Sequence, residues 1–197
     1  MSVKNTSTTA DYLPWDVMLT LIRRLFKDGD YRFSLLIGCG SFFGLRIGDL
    51  LRLRWDMILE NGSFDIKEHK TKKFRTVRIN PDFQDHIKDC YRALRIKDPH
   101  ELCFLSPRGN GNVYTVQRIN VHLKEIKSKY KLKIQHFSSH SLRKTFGRKI
   151  VESAGENAEM ALIMLSEIFN HSSVQITRRY LGLRQQELQG IYDNLDF

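Results

Sequence analysis

Four short segments between Gly44 and Tyr180 hold two arginines, two histidines and a tyrosine. They are Gly44-Leu45-Arg46, His140-Ser141-Leu142-Arg143, His171, and Tyr180 nine residues beyond that histidine. These residue types suit metal-free phosphoryl transfer onto a phenol. Guanidinium forks grip a phosphate through paired hydrogen bonds. Imidazoles move protons or donate hydrogen bonds near neutral pH, and a phenol serves as a covalent nucleophile. A phenol of ordinary pKa is ionised in only about one molecule in a thousand at neutral pH, so such chemistry needs proton removal or a stabilised anion.

Taken singly, each segment has a plainer use. Arg46 opens a predicted helix, where backbone amides favour an anion, and Asp49 on the same face is placed to hold its guanidinium. The same two residues also fit an ordinary surface ion pair. His140 and Arg143, spaced i and i+3, share one helix face, and a lone HxxR is a weak motif. A half-exposed tyrosine commonly packs its ring on a core.

The elements that must position these groups are legible as hydrophobic periodicity. Trp15, Met18, Leu19, Ile22 and Leu25 or Phe26 predict an amphipathic helix over 14–27, with Pro14 suited to its first turn. A more apolar helix follows over 31–42, ending between Gly40 and Gly44, and a third is predicted over 46–55. Alternation around Phe64 and Ile66, and again from Phe74 to Ile79, predicts antiparallel strands over 63–69 and 74–80. They are joined by the basic tip Lys70-Thr71-Lys72-Lys73. Helix is predicted again over 82–96 and 114–130, with a short apolar piece at Leu102–Leu105 and a Gly/Asn-rich loop from Ser106 to Asn112 between them. The last third reads as helices over 140–153, 157–169, 173–182 and 184–194, Ser138 or Ser139 capping the first of these and Ser172 or Ser173 the third. The sum is a mainly helical α+β chain with one small antiparallel sheet.

Bulk properties set the context. The 197 residues fit a single domain of ordinary size, and a hydrophobic content of 41% with no apolar run near membrane-spanning length predicts a soluble globular protein. The polar Ser/Thr-rich start has no signal-peptide character, so residues 1–11 are read as a disordered lead-in, 12–197 as one domain, and the location as cytoplasmic. Three cysteines without CxxC spacing point to buried reduced thiols. A formal net charge of +10 points to a polyanionic partner. A generally basic, soluble surface is the bland alternative.

Jointly, and in this order, the segments resemble the catalytic domain of the tyrosine recombinase (phage integrase) family. That family carries an arginine in a TGLR-like segment, a hairpin lysine, an HxxR pair and a histidine nine residues before a nucleophilic tyrosine. The matching positions here are Arg46 in Phe43-Gly44-Leu45-Arg46, Lys70 of Lys70-Thr71, His140 with Arg143, His171 and Tyr180. The resemblance covers nearly the whole chain.

It implies a DNA strand-exchange enzyme acting on duplex DNA through a 3′-phosphotyrosyl intermediate, with no metal and no cofactor. Arg46, Arg143 and His171 would bind the non-bridging oxygens of the scissile phosphate. His140 would take the tyrosine proton or hydrogen-bond the phosphate, and Lys70 would protonate the departing 5′ oxygen. Asp49 would orient Arg46, and Lys72, Lys73 and Lys144 would contact DNA. The apolar tail residues Leu181, Leu183, Leu188, Ile191, Leu195 and Phe197 would dock on a neighbouring protomer in a tetrameric synapse. A type IB-like topoisomerase and a catalytically silent DNA-binding regulator share the implied fold. The chain departs from the family in three ways: Asn170 stands where glycine is commoner, Ala154–Met160 reads as an insertion, and a separate N-terminal DNA-clasping domain is not expected.

Overall fold

The computed structural model describes residues 10–59, 62–107 and 111–183. The chain divides into two compact units, 1–145 and 146–197.

The first unit is built on two helices packed on one another, α1 (Trp15–Lys27) and α2 (Tyr31–Phe43). α1 buries Met18, Ile22 and Leu25 of the expected stripe and adds Leu21, while Trp15, Leu19 and Phe26 are only partly buried against the core. Pro14 lies just outside it, at the N-cap with φ −51° and ψ 144°. α2 is buried on nearly every side, which explains its continuous apolar run. The Asp30 carboxylate caps its start and Gly44, at φ 59°, its end. That left-handed residue turns the chain so that Leu45 is buried and Arg46 emerges in extended geometry before the single turn α3 (Ile47–Leu50).

The predicted helix over 46–55 is corrected here. The chain leaves α3 at Leu51, and Arg54 forms an antiparallel bridge with Leu102 before α4 (Trp55–Leu59) begins. The Leu53 carbonyl accepts from the Cys103 N–H at 2.8 Å. Leu51, Leu53 and Trp55 are buried while Arg52 and Arg54 are exposed, a period of two that the helical reading passed over. The apolar piece 102–105 supplies the partner, and Leu105 bridges Val113 at its other end.

Strands β1 (Ser63–Lys67) and β2 (Phe74–Arg78) pair antiparallel, from Ser63↔Arg78 to Lys67↔Phe74. Phe64, Ile66 and Val77 point to the core. Both strands stop two residues short of their predicted ends: after β1 the chain folds into the tip at Glu68–Lys73, and after β2 Asn80 turns to cap the next helix. Helix α5 (Pro81–Ala93) is capped by Asn80 and α6 (Val116–Lys129) by Thr115. α5 ends earlier than predicted, followed by Arg95 at φ 54°. Helix α7 (Ser139–Ala154) starts in this unit. A Cβ on Gly40 would sit 2.8 Å from Leu142, so only glycine lets the residue between His140 and Arg143 press onto α2. Cys39, Cys90 and Cys103 are buried free thiols in the same core.

The start of the described chain is tied down by hydrogen bonds. The Asp11 carboxylate accepts from the Gln135 and His136 N–H groups, each at 3.0 Å. The Thr145 hydroxyl is bonded to both the N–H and the carbonyl of Leu13, at 2.9 and 3.1 Å.

The second unit comprises the rest of α7, a 3₁₀ turn at Gly155–Asn157, α8 (Ala158–Phe169) and α9 (Val174–Leu181). Leu162, Leu165, Phe169 and Leu181 form its buried centre, with Phe146, Ile150 and Tyr180 packed against it. The stretch read as an insertion thus becomes the 3₁₀ turn and the first turn of α8. The predicted helix over 184–194, and with it most of the apolar tail, lies outside the described residues. No described helix is long and apolar enough to cross a membrane.

Candidate active site

Each unit presents its own group of the predicted residues. In the first, Arg46 stands at the N-cap of α3 and its Nη1 donates to Glu68 Oε2 at 2.7 Å. Glu68 begins the hairpin tip and is almost fully buried. The same oxygen accepts from the Thr71 hydroxyl at 2.9 Å, and Oε1 faces Arg75 Nη1 at 4.0 Å. Arg75 Nη2 donates to the Phe43 carbonyl at 2.8 Å, bracing the turn that delivers Arg46. Burial lowers the Arg75 pKa from its ordinary value, opposed by the Glu68 charge.

Asp49 is buried, and its Oδ1 accepts from the His69 N–H at 2.7 Å. It therefore fastens the hairpin as well as lying one turn beyond Arg46. Lys70 falls between His69 and Thr71, exposed at the tip. Lys72 and Lys73 are exposed beside it, Lys72 at φ 59°. Phe74 is 76% exposed, with Lys67 Nζ 5.3 Å from its ring centroid.

His140 lies in the first turn of α7 and Arg143 follows on the next, Arg143 buried and His140 exposed. The start of that helix is fixed by the Ser141 hydroxyl, which accepts from the Ser138 N–H at 3.0 Å and donates to the His136 carbonyl at 3.1 Å. Partial burial, then the charges of Arg143 and Lys144, lower the His140 pKa and favour the neutral imidazole. Lys144 is itself buried, and burial lowers its pKa against the pull of Asp11.

In the second unit α8 ends at Asn170, left-handed at φ 51° and ψ 50°. Glycine is the usual residue for that conformation and asparagine the next most tolerant, which accounts for the departure noted above. The turn delivers His171, whose N–H is bonded to the Ser166 carbonyl at 2.9 Å. His171 Nδ1 lies 2.9 Å from the buried Thr177 hydroxyl. With Thr177 as donor, the ring proton sits on Nε2, the tautomer able to donate to an anion. Ser173 caps α9 by accepting from the Ile176 N–H. One face of that helix carries Thr177 and Tyr180. The Tyr180 ring meets His171 edge-on at 5.4 Å and Phe169 at 5.6 Å between centroids. Arg178 pairs with Glu159 of α8.

Sequence reading missed Glu68, Arg75 and Thr177. Glu68 and Arg75 follow strand alternation, and Thr177 follows from its position one turn before Tyr180. Nothing in composition singles them out.

The mainly helical fold with its two-stranded antiparallel sheet is that of tyrosine recombinase catalytic domains. The phage integrase family matches residues 23–187, and the chain belongs to that family. It is 30% identical over 163 residues to the probable integrase/recombinase YoeC of Bacillus subtilis, covering 83% of this chain and 82% of that protein. It is 27% identical over 152 residues to the tyrosine recombinase XerC of Xanthomonas campestris pv. campestris, covering 76% of this chain and 44% of XerC. The chain therefore spans less than half of XerC. Among solved structures it resembles XerA recombinase, with a TM-score of 0.69 at 21% identity over 98% of this chain and 68% of that one. It also resembles a lambda integrase (75–356) dimer bound to a COC′ core site, with a TM-score of 0.61 at 13% identity over 90% and 61% of the two chains.

Proposed function

We propose that this protein cleaves and rejoins duplex DNA by transient attachment of a 3′ phosphate to Tyr180. The Tyr180 oxygen attacks phosphorus, a P–O bond to the phenol forms, and the bond to the 5′ oxygen breaks. The phenolic proton leaves to a base, for which neutral His140 is suited, and Lys70 supplies the proton that the 5′ oxygen takes up. Arg46, Arg143 and His171 Nε2–H act on the non-bridging oxygens, where charge accumulates. Lys72 and Lys73 bind flanking backbone phosphates. The phosphotyrosyl bond conserves the energy needed for rejoining. Assembly of several copies on DNA, with the apolar tail as the joint, belongs to the same proposal.

The observation that carries this reading is the setting of Tyr180 beside His171 on a capped helix, in a chain that matches its family from residue 23 to 187. The test is covalent trapping. Nicked duplexes from a random-sequence library are incubated with the protein, and adducts that survive denaturation are sequenced. Wild type is expected to yield an adduct and Tyr180→Phe none. Adducts without strand transfer to a second duplex would identify a relaxing enzyme. DNA binding without adducts would identify a regulator.

A further inference from the structure

Glu68 has no part in the chemistry described above, yet it ties Arg46 to the hairpin tip. Its Oε2 accepts from Arg46 at 2.7 Å and from the Thr71 hydroxyl at 2.9 Å. Its backbone closes the tip, the N–H bonded to the Lys73 carbonyl and the carbonyl to the Lys72 N–H, both at 2.9 Å. Its side chain is 5% exposed, so these bonds work at low local dielectric, where charge-assisted hydrogen bonds hold geometry tightly. A second tie runs the other way, from the His69 N–H to Asp49 on α3 at 2.7 Å. Arg46 and Asp49 thus bracket α3, and each is fastened to the hairpin through a carboxylate. Lys70 is the residue between the two fastened positions, His69 and Thr71.

We infer that Glu68 is a positioning residue that locks the lysine-bearing tip to Arg46, so that general acid and phosphate-binding arginine are set by one shared carboxylate. This deepens the proposed function and rests on it. Thr71 transmits the lock to the tip, and the Glu68 charge holds the guanidinium. The two effects separate chemically. A lysine in the wrong place slows departure of a 5′ oxygen, which needs a proton, but not of a 5′ sulfur, because a thiolate of pKa about 8.5 leaves unprotonated. A misplaced arginine slows both.

The experiment compares single-turnover adduct formation on one trapped duplex made with either a 5′-bridging oxygen or a 5′-bridging sulfur. Thr71→Val is expected to slow the oxygen substrate by at least about tenfold, towards the ~10²-fold typical of a lost general acid. It should leave the sulfur substrate within about threefold of wild type, and Thr71→Ser should restore the oxygen rate. Glu68→Gln is expected to slow both substrates, and oxygen more than sulfur. A second measurement needs no DNA: amide hydrogen exchange at His69, Lys72 and Lys73 should accelerate in Thr71→Val and Glu68→Gln at unchanged melting temperature. Equal slowing of both substrates, or unchanged exchange at the tip, overturns the inference. Absence of an adduct from wild type instead refutes the proposed function, and the exchange data still decide the lock.

Discussion

The two units hold their functional groups by different forces. Around Glu68 the first unit uses polar contacts: Arg46 and Thr71 donate hydrogen bonds to one buried carboxylate, and the Arg75 guanidinium faces it at 4.0 Å. Around Phe169 the second unit uses ring edges: Tyr180 and His171 both pack against a single buried aromatic. Charge-assisted bonds fix orientation and act where a phosphate must be met by pre-set donors. Aromatic packing fixes a surface more than an angle. The centre it rests on is small, with Leu162, Leu165, Phe169 and Leu181 as its buried members, against a first-unit core running from Leu13 to Leu142. Opening of α9 is therefore expected to cost less than opening of α2. Under the proposed function, the two arginines that hold the phosphate sit in the stiffer region, and Tyr180 and His171 sit in the softer one.

The strongest way to break this contrast is Arg46→Ala. Loss of one pre-set donor to the developing charge predicts a fall of about 10²–10³ in the rate of adduct formation, with DNA affinity little changed. A comparable fall in affinity with an unchanged rate would mean that Arg46 merely binds.

A paired substitution probes the cores. Gly147→Ala places a Cβ 2.6 Å from Leu181 and 3.1 Å from the Phe169 ring, and Gly38→Ala crowds the Phe83 ring. Overpacking of this kind costs about 1–3 kcal/mol. Exchange measured by amide protection should rise across α8 and α9 in the first variant and leave α1 and α2 protected. The second variant should lower global stability. Identical exchange patterns in both would erase the distinction between the units.

Acid sharpens the comparison further. The His140 pKa is lowered in the folded protein, and burial lowers that of His86 as well. The unfolded chain therefore binds more protons between those values and the ordinary ~6.5. The stability these groups contribute is complete above about pH 6.5 and is lost as pH falls towards their folded values. The urea midpoint should fall on acidification over that window, and less steeply in His140→Gln. Adduct formation should likewise persist to pH below the titration of free imidazole.

The smallest effect is expected from Lys72→Ala at the exposed tip. Affinity for nonspecific duplex DNA should weaken modestly, and the slope of log K against log salt should flatten by about 0.9, one phosphate contact.

Much of this was legible in the sequence. The two opening helices, the hairpin and the last three helices of the described chain follow from periodicity, and five of the candidate groups stand out as polar residues in short motifs. Arg52 and Arg54 hid the break after α3, because alternation over five residues is too short to compete with a helical pattern on either side. Glu68 was invisible for another reason. A carboxylate in a lysine-rich tip reads as surface charge until the fold buries it against a guanidinium. Thr177 likewise looks like any helical threonine until His171 lies 2.9 Å away.

The burial of all three cysteines has a practical consequence. The Cys90 thiol is pushed up to about 12 by desolvation, and Cys39 and Cys103 are raised for the same reason. At neutral pH none offers a thiolate to an alkylating reagent. A cysteine introduced at Lys70 or Tyr180 would thus be the one readily labelled position on the native protein, and a fluorophore or crosslinker attached there would report from a single known place.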